Sequence, residues 1–260
     1  MRWSMSLIAA ACLVSSSASA ALTDTPLSFT LDGTEFAGTL VHDDAQPAKR
    51  SILMVPNWMG INEANMAQAH LIAERGYTVY VVDMYGKDIR PANGGEAGKA
   101  AGAVKGDLDL MHRRITTALK TLIEQDSAPI DRDRIGAIGF CFGGTVVLEL
   151  ARIGTPLAGV VSFHGGLATT APTQPGTLKT KVLVLHGADD PYVPADEVSA
   201  FEAEMRAARA DWQLVKFGNS VHSFTDPDAN AAGQAQYNPD SARRAYLMMD
   251  NFFAETMGAP

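Results

Sequence analysis

The sequence GFCFG at residues 139–143 has the spacing of a nucleophile elbow with a cysteine at its centre. In such an elbow a sharp turn between a strand and a helix exposes the nucleophile, and flanking glycines avoid collisions between backbone segments. The strand predicted over 135–139 and the helix predicted over 143–152 flank the motif in the required order. The helix dipole also favours a thiolate at the start of a helix. The pattern therefore favours Cys141 as a nucleophile over a buried cysteine in a tight turn.

A cysteine nucleophile needs a base, and the base needs a group that orients it. In this architecture the chain order is nucleophile, acid and then histidine. Asp189 and Asp190 follow the strand predicted over 181–185, and site residues are expected at the carboxyl end of a parallel strand. We take Asp190 as the orienting acid, although the spacing does not exclude Asp189. His222, on the loop after the strand predicted over 212–217, is the predicted base.

Attack on a carbonyl also needs two N–H groups that stabilise the oxyanion. One is expected on the residue after the nucleophile, which is Phe142, and the other on the loop after an early strand. That loop begins with Pro56, which has no N–H, so Trp58 is the predicted second donor.

Elements that could position these residues alternate along the chain. Strand patterns lie at 27–31, 35–41, 51–55, 77–82, 135–139, 159–163, 181–185 and 212–217, and helical patterns at 62–75, 107–125, 143–152, 196–210 and 241–256. The segment 87–98 is rich in glycine, proline and charge and is predicted to be a loop. Continuous apolar strands that alternate with helices predict an α/β protein, with a single mostly parallel sheet and helices on both faces.

Composition excludes several classes of function. The 260 residues carry a net charge of −8 and no long run of lysine or arginine, which argues against a nucleic-acid partner. The six histidines show no metal-ligand spacing, so neither a metal nor another cofactor is expected.

The first twenty residues have the pattern of a signal peptide. Arg2 precedes an apolar run over 5–14 that is too short to span a bilayer, and small residues at 18 and 20 mark a cleavage site. The prediction is a periplasmic or secreted protein without a membrane anchor, with a domain over 21–260. Cleavage removes Cys12, so Cys141 remains as the only cysteine of the mature chain. An unpaired thiol in an oxidising compartment is a liability unless it is buried or used.

The chain contains three specific motifs, which are GFCFGG, DPYVP after a strand and VHSF before the last helix. On these motifs it resembles the dienelactone hydrolase family of α/β hydrolases. The resemblance extends from about residue 27 to residue 253. The resemblance implies the α/β-hydrolase fold and a Cys-Asp-His triad. Carried over by motif, it implies Cys141 as nucleophile, Asp190 as orienting acid and His222 as base. It also implies Trp58 and Phe142 as the donors to the oxyanion.

Two positions depart from the best-known members of that family. Those enzymes have a glutamate, to which a role in deprotonating the cysteine is ascribed, where this chain has Asn57. They also have an arginine that holds the substrate carboxylate where this chain has Asp226. We expect Asn57 and Asp226 to bind substrate, and Asp226 to favour neutral substrates over carboxylate-bearing ones.

The sequence as a whole predicts an exported carboxylic-ester or lactone hydrolase that acts on a small molecule through an acyl-enzyme. A thioesterase or another acyl hydrolase would use the same machinery. A non-catalytic thiol-sensing or binding protein on the same fold is the alternative from another class, and Asn57 is the feature that favours it. The sequence predicts no oligomeric state.

Overall fold

The computed structural model describes residues 22–45 and 49–258 and contains one large sheet with helices on both faces. The strands are β1 (Leu22–Leu31), β2 (Thr34–Asp43), β3 (Lys49–Val55), β4 (Thr78–Val81), β5 (Ile130–Phe140), β6 (Gly159–Phe163), β7 (Lys181–Gly187), β8 (Trp212–Phe217), β9 (Asn230–Ala231) and β10 (Ala235–Gln236). The helices are α1 (Glu63–Ala73), α2 (Gly94–Lys105), α3 (Leu108–Glu124), α4 (Phe142–Arg152), α5 (Ala195–Ala208) and α6 (Pro239–Met257).

The large sheet has the strand order β1-β2-β4-β3-β5-β6-β7-β8. Strand β2 runs antiparallel to both β1 and β4, and all other neighbours in this sheet are parallel. The predicted mostly parallel sheet of an α/β-hydrolase fold is confirmed.

Both faces of the sheet are covered because its central strands are apolar on both sides. In β3, Leu53 and Val55 pack in one core with residues of α2 to α5, whereas Ile52 and Met54 pack in a second core with α1 and α6. Each strand therefore contributes alternate side chains to two cores, as expected for buried parallel strands.

The carboxyl ends of four parallel strands bring the predicted site residues to one edge of the sheet. Trp58 follows β3, Cys141 follows β5, Asp190 follows β7 and His222 follows β8. Ligands of open α/β sheets bind at this edge, where the crossovers reverse direction.

The prediction of a loop over 87–98 is wrong beyond residue 93. Helix α2 starts at Gly94 because Asn93 caps it: the Asn93 side chain accepts a hydrogen bond of 3.1 Å from the N–H of Glu96. The Glu96 carboxylate in turn accepts a bond of 2.9 Å from the N–H of Ala92. This reciprocal capping offsets the low helix propensity of the glycines.

The hairpin of β9 and β10 is a second element that the sequence analysis did not predict. Its strands have two residues each and no hydrophobic alternation to mark them. The signal peptide over 1–20 and the mature terminus at Ala21 lie outside the described residues, so both stay predictions. Within the described chain, every helix is too short or too polar to cross a membrane.

Candidate active site

Cys141 occupies the sharp turn between β5 and α4, where its backbone has φ 53° and ψ −115°. Positive φ is strained for a residue with a side chain and is typical of functional positions. The flanking glycines allow the chain to fold so tightly. A Cβ on Gly139 would lie 2.0 Å from the carbonyl oxygen of Gly143, and one on Gly143 would lie 2.0 Å from the carbonyl oxygen of Val55. The N–H of Cys141 donates to the carbonyl of Phe163 on the neighbouring strand at 3.0 Å.

The side chains of Cys141, His222 and Asp190 lie next to one another at the site. Nδ1 of His222 lies 2.8 Å from Oδ2 of Asp190. Cys141 and His222 line the same cavity, and the thiol contributes to raising the pKa of the imidazole. The other carboxylate oxygen of Asp190 accepts the N–H of Tyr192 at 2.8 Å. Asp190 is buried, whereas Asp189 is exposed, so the structure pairs His222 with Asp190 rather than with its neighbour.

The unpredicted hairpin holds the loop that carries His222. The N–H of His222 donates to the carbonyl of Gln234 at 3.1 Å, and its carbonyl accepts the N–H of Gln236 at 3.0 Å. Two aromatic rings then lie edge-on against the imidazole. Those of Tyr192 and His164 both have centroids 5.2 Å from that of His222, at interplanar angles of 78° and 65°.

Two pKa shifts describe the electrostatics around His222. Burial lowers the pKa of His222, but hydrogen bonds to Asp190 and Cys141 and their negative charges outweigh burial and raise it from 6.5 to about 10. Burial, with the charge of His222, holds the pKa of His164 well below its usual range. His164 is therefore a neutral ring beside an imidazole whose protonated form is stabilised.

The raised pKa of His222 predicts a basic limit to catalysis. If His222 gives its proton to the leaving group of a substrate, kcat/KM should fall as the pH rises through about 10. Alkylation of Cys141 by iodoacetamide needs only the thiolate, so its rate should show no such fall. Both rates can be followed from about pH 5 to about pH 11, after subtraction of spontaneous hydrolysis. A hydrolysis profile that keeps rising above pH 10 would show that no imidazolium is required.

The predicted oxyanion donors line the same cavity as Cys141. Phe142 is the first residue of α4, where the backbone N–H has no acceptor in a preceding helical turn. Trp58 lies on residues 56–60, called the oxyanion loop below, between β3 and α1. Both residues line the cavity that contains Cys141 and His222.

This nucleophile cavity has a volume of about 480 Å³, within the range of small-molecule sites. One wall is the face of α2 that carries Gly98, Ala101, Gly102 and Lys105. The small residues leave the space in front of Cys141 open. Among the described residues that line it, Lys105 is the only lysine or arginine, and none is an aspartate or glutamate.

Asn57 and Asp226 do not line the nucleophile cavity. Both line a second cavity of about 560 Å³ between α1, α6 and the loop after His222. The expectation that Asp226 sets the charge of the substrate therefore has no support from its position. The Asn57 side chain is bonded to its own loop and to Asn65 instead of facing the thiol.

Four residues next to the site were not predicted from the sequence. Tyr192 stands within the DPYVP motif and could have been included from its position. His164 and Asn65 come from another loop and from α1, and Tyr85, on the loop after β4, donates its hydroxyl to the carbonyl of Trp58. Within the described part of the chain, no group of three histidine, cysteine or acidic side chains could hold a metal ion.

Comparison with known proteins gives one family for nearly the whole described chain. The family model described as dienelactone hydrolase family matches residues 36–257. A solved structure titled m3DLH is 36% identical, covers 91% of this chain and 99% of its own, and has a TM-score of 0.83. A dienelactone hydrolase-like promiscuous phosphotriesterase, P91 from metagenomic libraries, is 34% identical, covers 92% and 100%, and has a TM-score of 0.84.

Curated relatives match over shorter stretches. A protein of Caenorhabditis elegans without an assigned function is 33% identical over 150 residues, which are 55% of this chain and 91% of that protein. Proteins of Salmonella typhimurium and Yersinia pestis that carry the name carboxymethylenebutenolidase match over 48% of their own length. The chain thus matches about half the length of these bacterial relatives.

Proposed function

Since the chain belongs to the dienelactone hydrolase family and is therefore a hydrolase, we propose that it cleaves carboxylic esters or lactones with a Cys141–Asp190–His222 triad. The observation that carries this proposal is the 2.8 Å contact between Asp190 and His222, in a cavity that His222 shares with Cys141 at the elbow. A catalytic role for Cys141 also explains the strained turn, which would be an unnecessary cost for a structural cysteine.

In the proposed mechanism the Cys141 thiolate attacks the ester carbonyl and forms a C–S bond, while the oxyanion accepts the N–H groups of Trp58 and Phe142. The C–O bond to the leaving group then breaks, and His222 gives its proton to the departing alkoxide. Neutral His222 next takes a proton from water, which attacks the thioester. The C–S bond breaks, the thiolate and the imidazolium are restored, and the acid product leaves. Asp190 stabilises the imidazolium throughout.

We propose that the substrate is a small, neutral ester or lactone, and that no cofactor takes part. The support is the lining of the nucleophile cavity, which is made largely of glycine, alanine, valine and aromatic residues. A panel of neutral esters, lactones and thioesters, with a Cys141→Ala control, tests the proposal. A neutral phosphotriester belongs on the panel because of the similarity to P91. Turnover of thioesters alone would favour a thioesterase, and a reactive thiol without any turnover would favour the sensing alternative.

A carboxylate-bearing lactone is the second candidate substrate, and Lys105 in the nucleophile cavity is the observation that favours it. If Lys105 attracts such a substrate, Lys105→Met should lower the ratio of kcat/KM for an anionic lactone to that for a neutral ester by about fivefold at low salt. Lys99→Met is the matched control, since Lys99 is exposed on the same helix and does not line the cavity. An equal ratio in both variants would exclude the anionic candidate.

We also propose that the protein is exported, which rests on the pattern of residues 1–20 alone. Intact-mass measurement of the protein isolated from the periplasm or medium of its producing cells should give a chain that begins at Ala21. An uncleaved chain in the cytosol, or lipid on Cys12, would contradict export as a soluble protein.

A further inference from the structure

Several polar groups of the oxyanion loop are held by hydrogen bonds. The N–H of Met59 donates to Oδ1 of Asn57 at 3.0 Å, and the N–H of Gly60 donates to the Asn57 carbonyl at 2.9 Å. The hydroxyl of Tyr85 donates to the carbonyl of Trp58 at 2.8 Å. Burial and the charges of Cys141 and Asp83 raise the pKa of Tyr85, so this hydroxyl stays protonated and remains a donor.

Asn65, in the first turn of α1, also forms hydrogen bonds to the oxyanion loop. Its side-chain amide donates to Oδ1 of Asn57 at 3.0 Å and to the carbonyl of Gly60 at 2.7 Å. The orientation of the two amides follows from chemistry, because the atom of Asn57 that accepts the Met59 N–H must be oxygen. Asn65 must therefore present its NH₂ group, and both hydrogens of that group are used.

Asn65 is itself held in place by the helix. It is 2% exposed, and its backbone N–H donates to the side chain of Asn62, the residue that caps α1, at 2.9 Å. A buried amide that lost both acceptors would leave its polar groups unpaired. The arrangement in which Asn65 binds both Asn57 and Gly60 is therefore strongly preferred. Helix α1 is thereby bonded to a side chain on one side of Trp58 and to a backbone carbonyl on the other.

We propose that Asn65 is a positioning residue that acts through Asn57 to hold the N–H of Trp58 where the oxyanion forms. This inference rests on the proposed function and explains what Asn57 does in place of an acid. Asn57 is the acceptor that links α1 to the oxyanion loop. Displacement of a catalytic group by about 1 Å can cost about a hundredfold in rate, so a loosened loop should impair acylation without loss of the triad.

The test separates the oxyanion donors from the nucleophile. Asn65→Leu should lower kcat for a neutral ester by about tenfold or more and change KM less than about twofold. The same variant should react with iodoacetamide at the wild-type rate, since displacement of iodide from carbon forms no oxyanion. Gln68→Leu is the matched control, because it removes from the same helix a half-buried side-chain hydrogen bond of 3.1 Å to Tyr246 and should not lower kcat.

The second part of the test measures the energetic coupling between Asn57 and Asn65. Asn57→Ala should also lower kcat, and the double variant with Asn65→Leu should lose little more than either single variant, because both changes break one link. Asn65→Asp, which keeps the size and removes the donors, covers the case in which the leucine variant does not fold.

The outcomes are distinct. Wild-type kcat in folded Asn65→Leu or Asn65→Asp, losses that multiply in the double variant, or a parallel loss of alkylation would each overturn the positioning role. Absence of wild-type turnover on every ester, with a reactive thiol, would overturn the proposed function and this inference with it.

Discussion

Cys141→Ala is expected to lower kcat for ester hydrolysis by about 10⁴-fold or more while the protein stays folded. In the proposed mechanism the variant lacks the sulfur atom that forms the acyl-enzyme, and the oxyanion donors can then only assist direct attack by water. Alanine keeps the backbone of the elbow and adds no volume, so the thermal unfolding temperature should change little. Steady-state assays and thermal unfolding of the purified variant are the measurements.

Cys141→Ser is the companion variant. It keeps a nucleophilic atom at the same position, but a hydroxyl is a much weaker nucleophile than a thiol at neutral pH. Its activity should lie between those of alanine and wild type. Activity of Cys141→Ala close to that of wild type would show that another residue carries the chemistry.

Asp190→Asn is expected to lower kcat by about 10³-fold or more. The substitution removes the carboxylate charge that helps to raise the pKa of His222. The amide can also present N–H to Nδ1, where the carboxylate accepted a hydrogen bond from Nδ1–H. The imidazole would then be less readily protonated and held in the wrong tautomer. Steady-state kinetics at neutral pH measures the loss.

Asp189→Asn is the matched control for that prediction. It is the same chemical change one residue earlier, at a side chain that is exposed. Its kcat should stay within about twofold of wild type, as for most surface substitutions. An inactive Asp189→Asn beside an active Asp190→Asn would move the orienting role to the neighbouring residue.

The large-scale fold could be predicted because its signals are local. The apolar runs of β3, β5 and β7 need no partner to be recognised as buried strands, and their alternation with helices leaves few topologies. Helix α2 was missed for a local reason as well. Its glycines and alanines give weak helical periodicity, and its start depends on the cap by Asn93.

The site could be predicted only where chemistry and chain order coincide. Cys141, Asp190 and His222 each follow a recognisable strand, so their convergence at one edge follows from the parallel topology. The positions of Asn57 and Asp226 could not be derived in this way. The cavity that each residue lines depends on how two loops pack against α1 and α6. That packing cannot be read from the neighbouring residues in the sequence.

Mass spectrometry of acid-quenched wild-type protein, mixed rapidly with an activated neutral ester, tests whether Cys141 is the nucleophile. A covalent thioester is the one species that nucleophilic catalysis by Cys141 must form. We expect an added acyl mass on the peptide that contains Cys141, which disappears as the acid product accumulates. Turnover with no adduct on any peptide, or an adduct on another residue that persists in Cys141→Ala, would contradict that role of Cys141.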